Sequence, residues 1–162
     1  MGERLPTNTH TDLGALLEPL SVAIHAHNRA GVPVAGARVL VMGAGAVGLL
    51  CAAVSKAQGA RAVVVADVRR DRLDFALKHG FADGVVEVPI RKRAGAEKMT
   101  EGEWKALVAE RMGDAREVAE MARGTEVGGR ELGEVDLCFE GTGVESCLQA
   151  AIYVCPPFSF LL

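Results

Sequence analysis

Aromatic residues are scarce: Phe, Trp and Tyr make up 4% of 162 residues, with one Trp and one Tyr. That argues against a sandwich of two sheets filled by rings and leaves a core built from small and branched aliphatic side chains. No apolar run reaches the ~18 residues of a membrane-spanning helix. The longest, Val39 to Val54, is interrupted by Gly43, Gly45 and Gly48. The N-terminus lacks the charged-then-apolar profile of a secretory signal, and Pro6 stands where a myristoylation motif needs Ser or Thr. The four cysteines (Cys51, Cys138, Cys147, Cys155) form no CxxC pair, so a closed cysteine zinc site is not indicated. Cys51 and Cys138 read as small buried hydrophobes in a reducing, cytoplasmic compartment. A net charge of −3 gives no reason to expect nucleic acid or an acidic membrane as partner. The basic triplet Arg91-Lys92-Arg93 therefore reads as a solvated loop.

Glycine is abundant, at 19 residues, about 12% against a usual ~7%. With 49% hydrophobic and 24% charged residues, the chain is expected to be one ordinary globular domain. Residues 1–13 read as a loose arm. Leu16, Leu20, Ala23, Ile24 and His27 fall at helical spacing, with Pro19 suited to a first helical turn and Gly31 and Pro33 as stops. Continuous β-branched and apolar runs at 38–42, 62–66, 85–88 and 135–139 predict strands of a parallel sheet buried on both faces. Helices are predicted at 47–58, 69–79 (Leu73, Ala76 and Leu77 inward), 103–123 (Trp104, Leu107, Val108, Met112, Val118 and Met121 as apolar positions) and from Val144. Residues 124–133 read as a loop, and 156–162 as an atypical tail. The expected fold class is α/β: a Rossmann-type parallel sheet with flanking helices.

Gly43-Ala44-Gly45-Ala46-Val47-Gly48 is a full GxGxxG that follows a predicted strand and opens a predicted helix, the context that gives the motif meaning. The first glycine allows the tight turn, the second lets a pyrophosphate approach the backbone, and the third lets helix and strand pack closely. The helix N-terminus then offers free N–H groups to the phosphates. Asp67 lies 19 positions after Gly48, at the end of the second strand. A carboxylate there can accept from both adenosine ribose hydroxyls and repels a 2′-phosphate by roughly 1–4 kcal/mol at ~4 Å. NAD is thus favoured over NADP, although Arg69 and Arg70 are cations that could hold such a phosphate. Arg72 could cover the adenosine side. As a bare helix N-cap, Asp67 would also fit its position. Thr142, within Gly141-Thr142-Gly143 after the fourth strand, could touch the nicotinamide half or merely form a turn.

Three further segments carry a family resemblance: Gly14 to Ala23 with its Glu18-Pro19-Leu20, Val64-Val65-Ala66-Asp67, and Phe139 to Glu145. Together with the glycine turn they resemble zinc-dependent medium-chain dehydrogenases, nearest the sorbitol, xylitol and L-arabinitol branch, over residues 13 to about 155. The resemblance implies NAD-dependent, zinc-assisted oxidation of a polyol or secondary alcohol to a ketone, in a family that is commonly homo-oligomeric. It places Val47, Asp67 and Arg72 at NAD-contacting positions and Glu18 beside the catalytic zinc. On its own chemistry Glu18 reads rather as a first-turn carboxylate favoured by the helix dipole. A single carboxylate does not build a catalytic zinc site, which takes about three protein ligands.

Such enzymes are about twice this length. The expected organisation is therefore a junction arm and helix at 1–33, an incomplete NAD(P)-binding Rossmann domain at 34–155, and the tail. Strands 1–4 of a 3-2-1-4-5-6 sheet are expected, strands 5 and 6 are not, and Phe158 to Leu162 offers at most a stub. The fourth strand would then be an exposed apolar edge. The chain is expected to be inactive alone. The alternatives are a non-catalytic dinucleotide-binding fragment, or a Rossmann domain for S-adenosylmethionine or a flavin.

Overall fold

The computed structural model describes residues 11–90, 99–155 and 160–161. The arm before residue 11, the basic triplet and most of the tail lie outside the described residues. The elements run α1 (Thr11–Ala30), β1 (Arg38–Met42), α2 (Ala46–Ala57), β2 (Ala62–Asp67), α3 (Arg70–Lys78), β3 (Gly84–Glu87), α4 (Glu101–Arg123), β4 (Glu126–Val127), β5 (Arg130–Glu131), β6 (Leu137–Glu140), α5 (Glu145–Val154) and β7 (Phe160–Leu161).

Among the described residues the main sheet has the order β3-β2-β1-β6-β7, all pairs parallel. The chain builds outward from β1 to β3, then crosses back to lay β6 on the other side of β1. This reversal leaves a crevice at the carboxyl ends of β1 and β6, where open α/β sheets bind ligands. Side chains alternate across the sheet. Val39, Val41, Val63, Val65, Leu137 and Phe139 face α1, α2 and α3. Leu40, Met42, Val64, Ala66 and Cys138 face α4 and α5. Both faces are covered, and for that reason these strands read as unbroken apolar runs. Aliphatic and small residues make almost the whole core, as the scarcity of rings requires.

Several local expectations are corrected. Helix α1 begins at Thr11, so Pro19 sits inside it rather than in its first turn. The ring removes one intrahelical bond there and leaves the helix supported by packing. Among the described side chains of α1, Ala23, His27 and Ala30 are buried; Leu16 and Ile24 are exposed. In α3, Leu77 is exposed while Leu73 and Ala76 are buried. In α4, Trp104, Met112 and Met121 are exposed, and Ala115, Val118, Ala119 and Ala122 make the buried stripe. Alanines let α4 and α5 approach closely, an arrangement that an apolarity count overlooks. Thr100 caps α4 through a capping box with Glu103, which starts the helix at Glu101.

The segment 124–133 is not a plain loop. It contains the antiparallel β4–β5 pair, turned by Gly128 (φ +59°) and Gly129 (φ +77°). Two adjacent residues with positive φ are the mark of a tight hairpin, and Gly-Gly supplied that signal in the sequence. The edge of β6 is not left bare either. The two-residue β7 pairs with Leu137 and Cys138, so the stub is formed.

His27 illustrates how α1 is fixed to α2. Its ring packs against that of Phe139, with centroids 4.3 Å apart and the planes tilted by 33°. Nδ1–H donates to the Ala23 carbonyl (2.7 Å), so Nε2 accepts from the Ser55 hydroxyl (2.8 Å). Burial lowers its pKa, holding it neutral and structural. No helix among the described residues is long and apolar enough to cross a membrane.

Candidate nucleotide site

The glycine turn leaves β1 at Gly43, whose φ of +103° an L side chain rarely adopts. Its N–H donates to Ala66 O of the neighbouring strand at 2.7 Å. A Cβ on Gly48 would lie 1.9 Å from Gly43 O, so a glycine is required for α2 to lie against the turn. A Cβ on Gly45, by contrast, would meet nothing within 4 Å. The first and third glycines shape the turn, and the space over the second is open. Ala46 and Val47 form the first turn of α2. The free N–H groups and partial positive charge of that helix end suit an anion.

Asp67 ends β2 with its side chain 7% exposed. Oδ2 accepts from the Ala44 N–H (2.7 Å) and Oδ1 from the Arg69 N–H (2.8 Å). The carboxylate thus ties the glycine turn to the segment entering α3. It is not the N-cap of that helix; Arg69 occupies the position and makes no side-chain cap. Each carboxylate oxygen has used one acceptor site and keeps another for a ligand hydroxyl. Arg72 Nη1 stands 3.7 Å from Oδ2. The other two cations are engaged elsewhere: Arg69 with Asp71 (2.5 Å), and Arg70 with Asp74 (2.9 Å) and Glu87 (3.9 Å).

Across the crevice, β6 ends at Glu140, a residue that sequence reasoning passed over. One oxygen, Oε1, accepts from the Thr142 N–H (2.8 Å) and from the Thr142 hydroxyl; the other accepts from the Gly143 N–H (3.2 Å). The Thr142 hydroxyl in turn accepts from the Val144 N–H at 3.0 Å. The Gly-Thr-Gly turn is therefore an organised loop. Its Thr142 methyl would lie 3.0 Å from a Cβ on Gly43, so the two loops meet. An acidic residue two positions before a Thr in a glycine-flanked turn was the available signal.

These parts line one cavity of about 500 Å³, with Gly43, Gly45, Asp67, Arg72 and Thr142 among its walls. Val68, Val88, Pro89 and Ile90 add an apolar end, and Ser146 and Cys147 of α5 close the side beyond Thr142. Val68 and Ile90 are 44% and 75% exposed, leaving apolar surface beside Asp67. Ala46, Val47 and Gly48 are not wall residues; they shape the helix end behind it. Glu18 is exposed on α1 and does not line the cavity. Among the described residues no group of three or more His, Cys, Asp or Glu side chains is placed to hold a metal ion.

The crevice, the glycine turn and Asp67 match a known domain type. Residues 23–126 fit the model of the alanine dehydrogenase/PNT C-terminal domain. The chain belongs to that family. Among curated relatives, it is 50% identical over 76 residues to the probable D-xylulose reductase A of Aspergillus niger, which covers 47% of this chain and 21% of the relative. It is 38% identical over 150 residues to the sorbitol dehydrogenase of Ovis aries, covering 93% of this chain and 34% of the relative. Among solved structures, L-idonate 5-dehydrogenase from Escherichia coli superposes with a TM-score of 0.60 at 25% identity, over 96% of this chain and 35% of that one. The chain thus spans a fifth to a third of the length of these relatives. The resemblance to polyol dehydrogenases, restricted to their cofactor-binding part, holds.

Proposed function

We propose that residues 34–155 bind NAD(H) as the cofactor-binding unit of a cytoplasmic dehydrogenase acting on a polyol or secondary alcohol. The observation that carries this is the Asp67 carboxylate, buried, hydrogen-bonded to the glycine turn, and retaining acceptor sites toward the cavity. Two ribose hydroxyls satisfy those sites, whereas a 2′-phosphate meets a fixed negative charge. Arg69 and Arg70 are paired with carboxylates other than Asp67, and Arg72, the cation nearest Asp67, stands 3.7 Å from that carboxylate as its ion-pair partner. The pyrophosphate belongs over Gly45 and the first turn of α2, and Thr142 beside the nicotinamide half.

NAD supplies hydride acceptance when bound. The chain's own residues orient it: the glycine turn sets the phosphates, Asp67 sets the ribose, and Glu140 fixes the loop that carries Thr142. The polyol substrate class rests on the names of the relatives. A zinc ion does not fit the described residues, since Glu18 contributes one carboxylate where a catalytic zinc takes about three protein ligands. Binding without turnover is therefore the reading for this chain alone.

Calorimetric titration tests it. NADH should bind at least ~10 times tighter than NADPH, as one fixed charge repulsion implies. Equal affinity for the two, or tighter binding of FAD or S-adenosylmethionine, would overturn the proposal. Steady oxidation of sorbitol or xylitol by the chain with NAD and zinc would replace the binding-only part.

A further inference from the structure

Three of the four cysteines gather on one face of the sheet. Cys138, on β6, is wholly buried between the sheet and α4–α5, and Cys147 and Cys155 pack against the same cluster. Cys51 lies on the opposite face, where burial pushes its thiol up to about 11. Helix α5 runs back along β6, so its last residues return to the start of that strand. There the Val135 N–H reaches Val154 O at 3.4 Å, and the Cys155 N–H bonds Ala151 O at 3.1 Å. This return packs Cys155 against the buried cluster that contains Cys138 and sets the two thiols side by side.

The two thiols differ in setting. Cys155 is half-buried, at the end of α5, while Cys138 has no exposed surface. Arg123 donates to the Tyr153 carbonyl, which fixes a cation beside the Cys155 segment. The adjacent Cys138 thiol, with the Arg123 charge, lowers the Cys155 thiol; the same contact, with burial, raises Cys138. A cation-assisted, accessible thiol next to a buried, protonated one is the arrangement of an attacking and a resolving cysteine.

We propose that Cys138 and Cys155 form a dithiol that closes to a disulfide under a peroxide oxidant. The Cys155 thiolate attacks one peroxide oxygen, the O–O bond breaks, and hydroxide leaves and is protonated to water. Cys155 becomes a sulfenic acid. The Cys138 sulfur then attacks Cys155 Sγ; the S–S bond forms, the S–O bond breaks, and the Cys138 proton leaves with the hydroxyl as a second water. Two thiols are oxidised by two electrons and one peroxide is reduced to two waters. The product ties the end of α5 to β6, the strand between β1 and β7. Disulfides in reducing compartments are commonly of this transient, oxidant-responsive type. Cys147, which also lines the nucleotide cavity, is the internal competitor.

The test treats the folded, reduced full chain with hydrogen peroxide, then alkylates it in denaturant for intact-mass and peptide analysis. The expected result is a Cys138–Cys155 cross-linked peptide, with Cys51 and Cys147 alkylated, and a melting temperature roughly 5–10 °C above the reduced form. The C147S variant should keep the cross-link. The C155S variant, altered at a half-buried position, should lose it while retaining the reduced protein's circular dichroism. A cross-link through Cys147, no cross-link at all, or one that forms only in urea would overturn the proposal.

Discussion

The two ends of the parallel sheet use carboxylates in opposite ways. At the amino end, Asp136 receives Arg38 through its backbone N–H (2.8 Å) and guanidinium (3.1 and 3.0 Å). Asp83 likewise receives the Lys56 ammonium and the Val63 N–H (2.9 Å). Each charge there is met by a cation, and the groups do no more than join strands to neighbouring loops. At the carboxyl end, Asp67 and Glu140 accept mainly from neutral backbone N–H groups. They too hold loops, and Asp67 keeps spare acceptor sites beside the cavity. The amino-end carboxylates join strand to loop through a close cation, whereas those at the carboxyl end do so mainly through amides, with Arg72 standing 3.7 Å from Asp67.

The contrast can be broken most severely at the glycine turn that follows β1. Gly48→Ala places a methyl 1.9 Å from a backbone carbonyl. It should destabilise the fold by about 3 kcal/mol or more, read by urea unfolding, and abolish NADH binding. The next effect isolates the amino end. Asp136→Asn should cost about 1–2 kcal/mol in urea unfolding at neutral pH while leaving NADH affinity unchanged. The hydrogen bonds from Arg38 hold the Asp136 carboxyl below its usual range. Its contribution is therefore complete above about pH 4 and is lost as pH falls through the folded value. The wild-type and variant unfolding curves should converge on acidification below that point. The sharpest test of the carboxyl end, read in ligand preference rather than in stability, is Asp67→Asn. The amide oxygen can still accept from the Ala44 or Arg69 N–H, but the charge is gone. The NADH-to-NADPH affinity ratio should fall about 10-fold, and the backbone N–H left facing the amide nitrogen should cost about 1–2 kcal/mol in urea unfolding, as at Asp136. An unchanged ratio would make Asp67 a loop tie like Asp136.

Much of the carboxyl end was legible in the chain. Unbroken apolar runs announced strands covered on both faces, because a strand between two layers of helices has no polar side to display. The glycine spacing was readable for a similar reason: a positive φ and a carbonyl 1.9 Å from a would-be Cβ leave few residues acceptable at Gly43 and Gly48. The helix faces were less readable. Leu77, Trp104 and Met121 are apolar yet exposed, while small alanines make the α4 contact, since apolarity alone does not say which side of a helix meets a neighbour. Glu140 escaped notice because its partners are backbone amides of a turn, groups that every sequence contains.

What local order in the chain settles is periodicity, turn geometry and the acid that follows the second strand, since each depends on residues close together in sequence. The pairing of Arg38 with Asp136, of Ala44 with Asp67, and of Cys138 with Cys155 follows from the crossover that sets β6 beside β1 and turns α5 back along it. Those partners are brought together by packing across the sheet, and no spacing in the sequence encodes which carboxylate a distant cation or amide will reach.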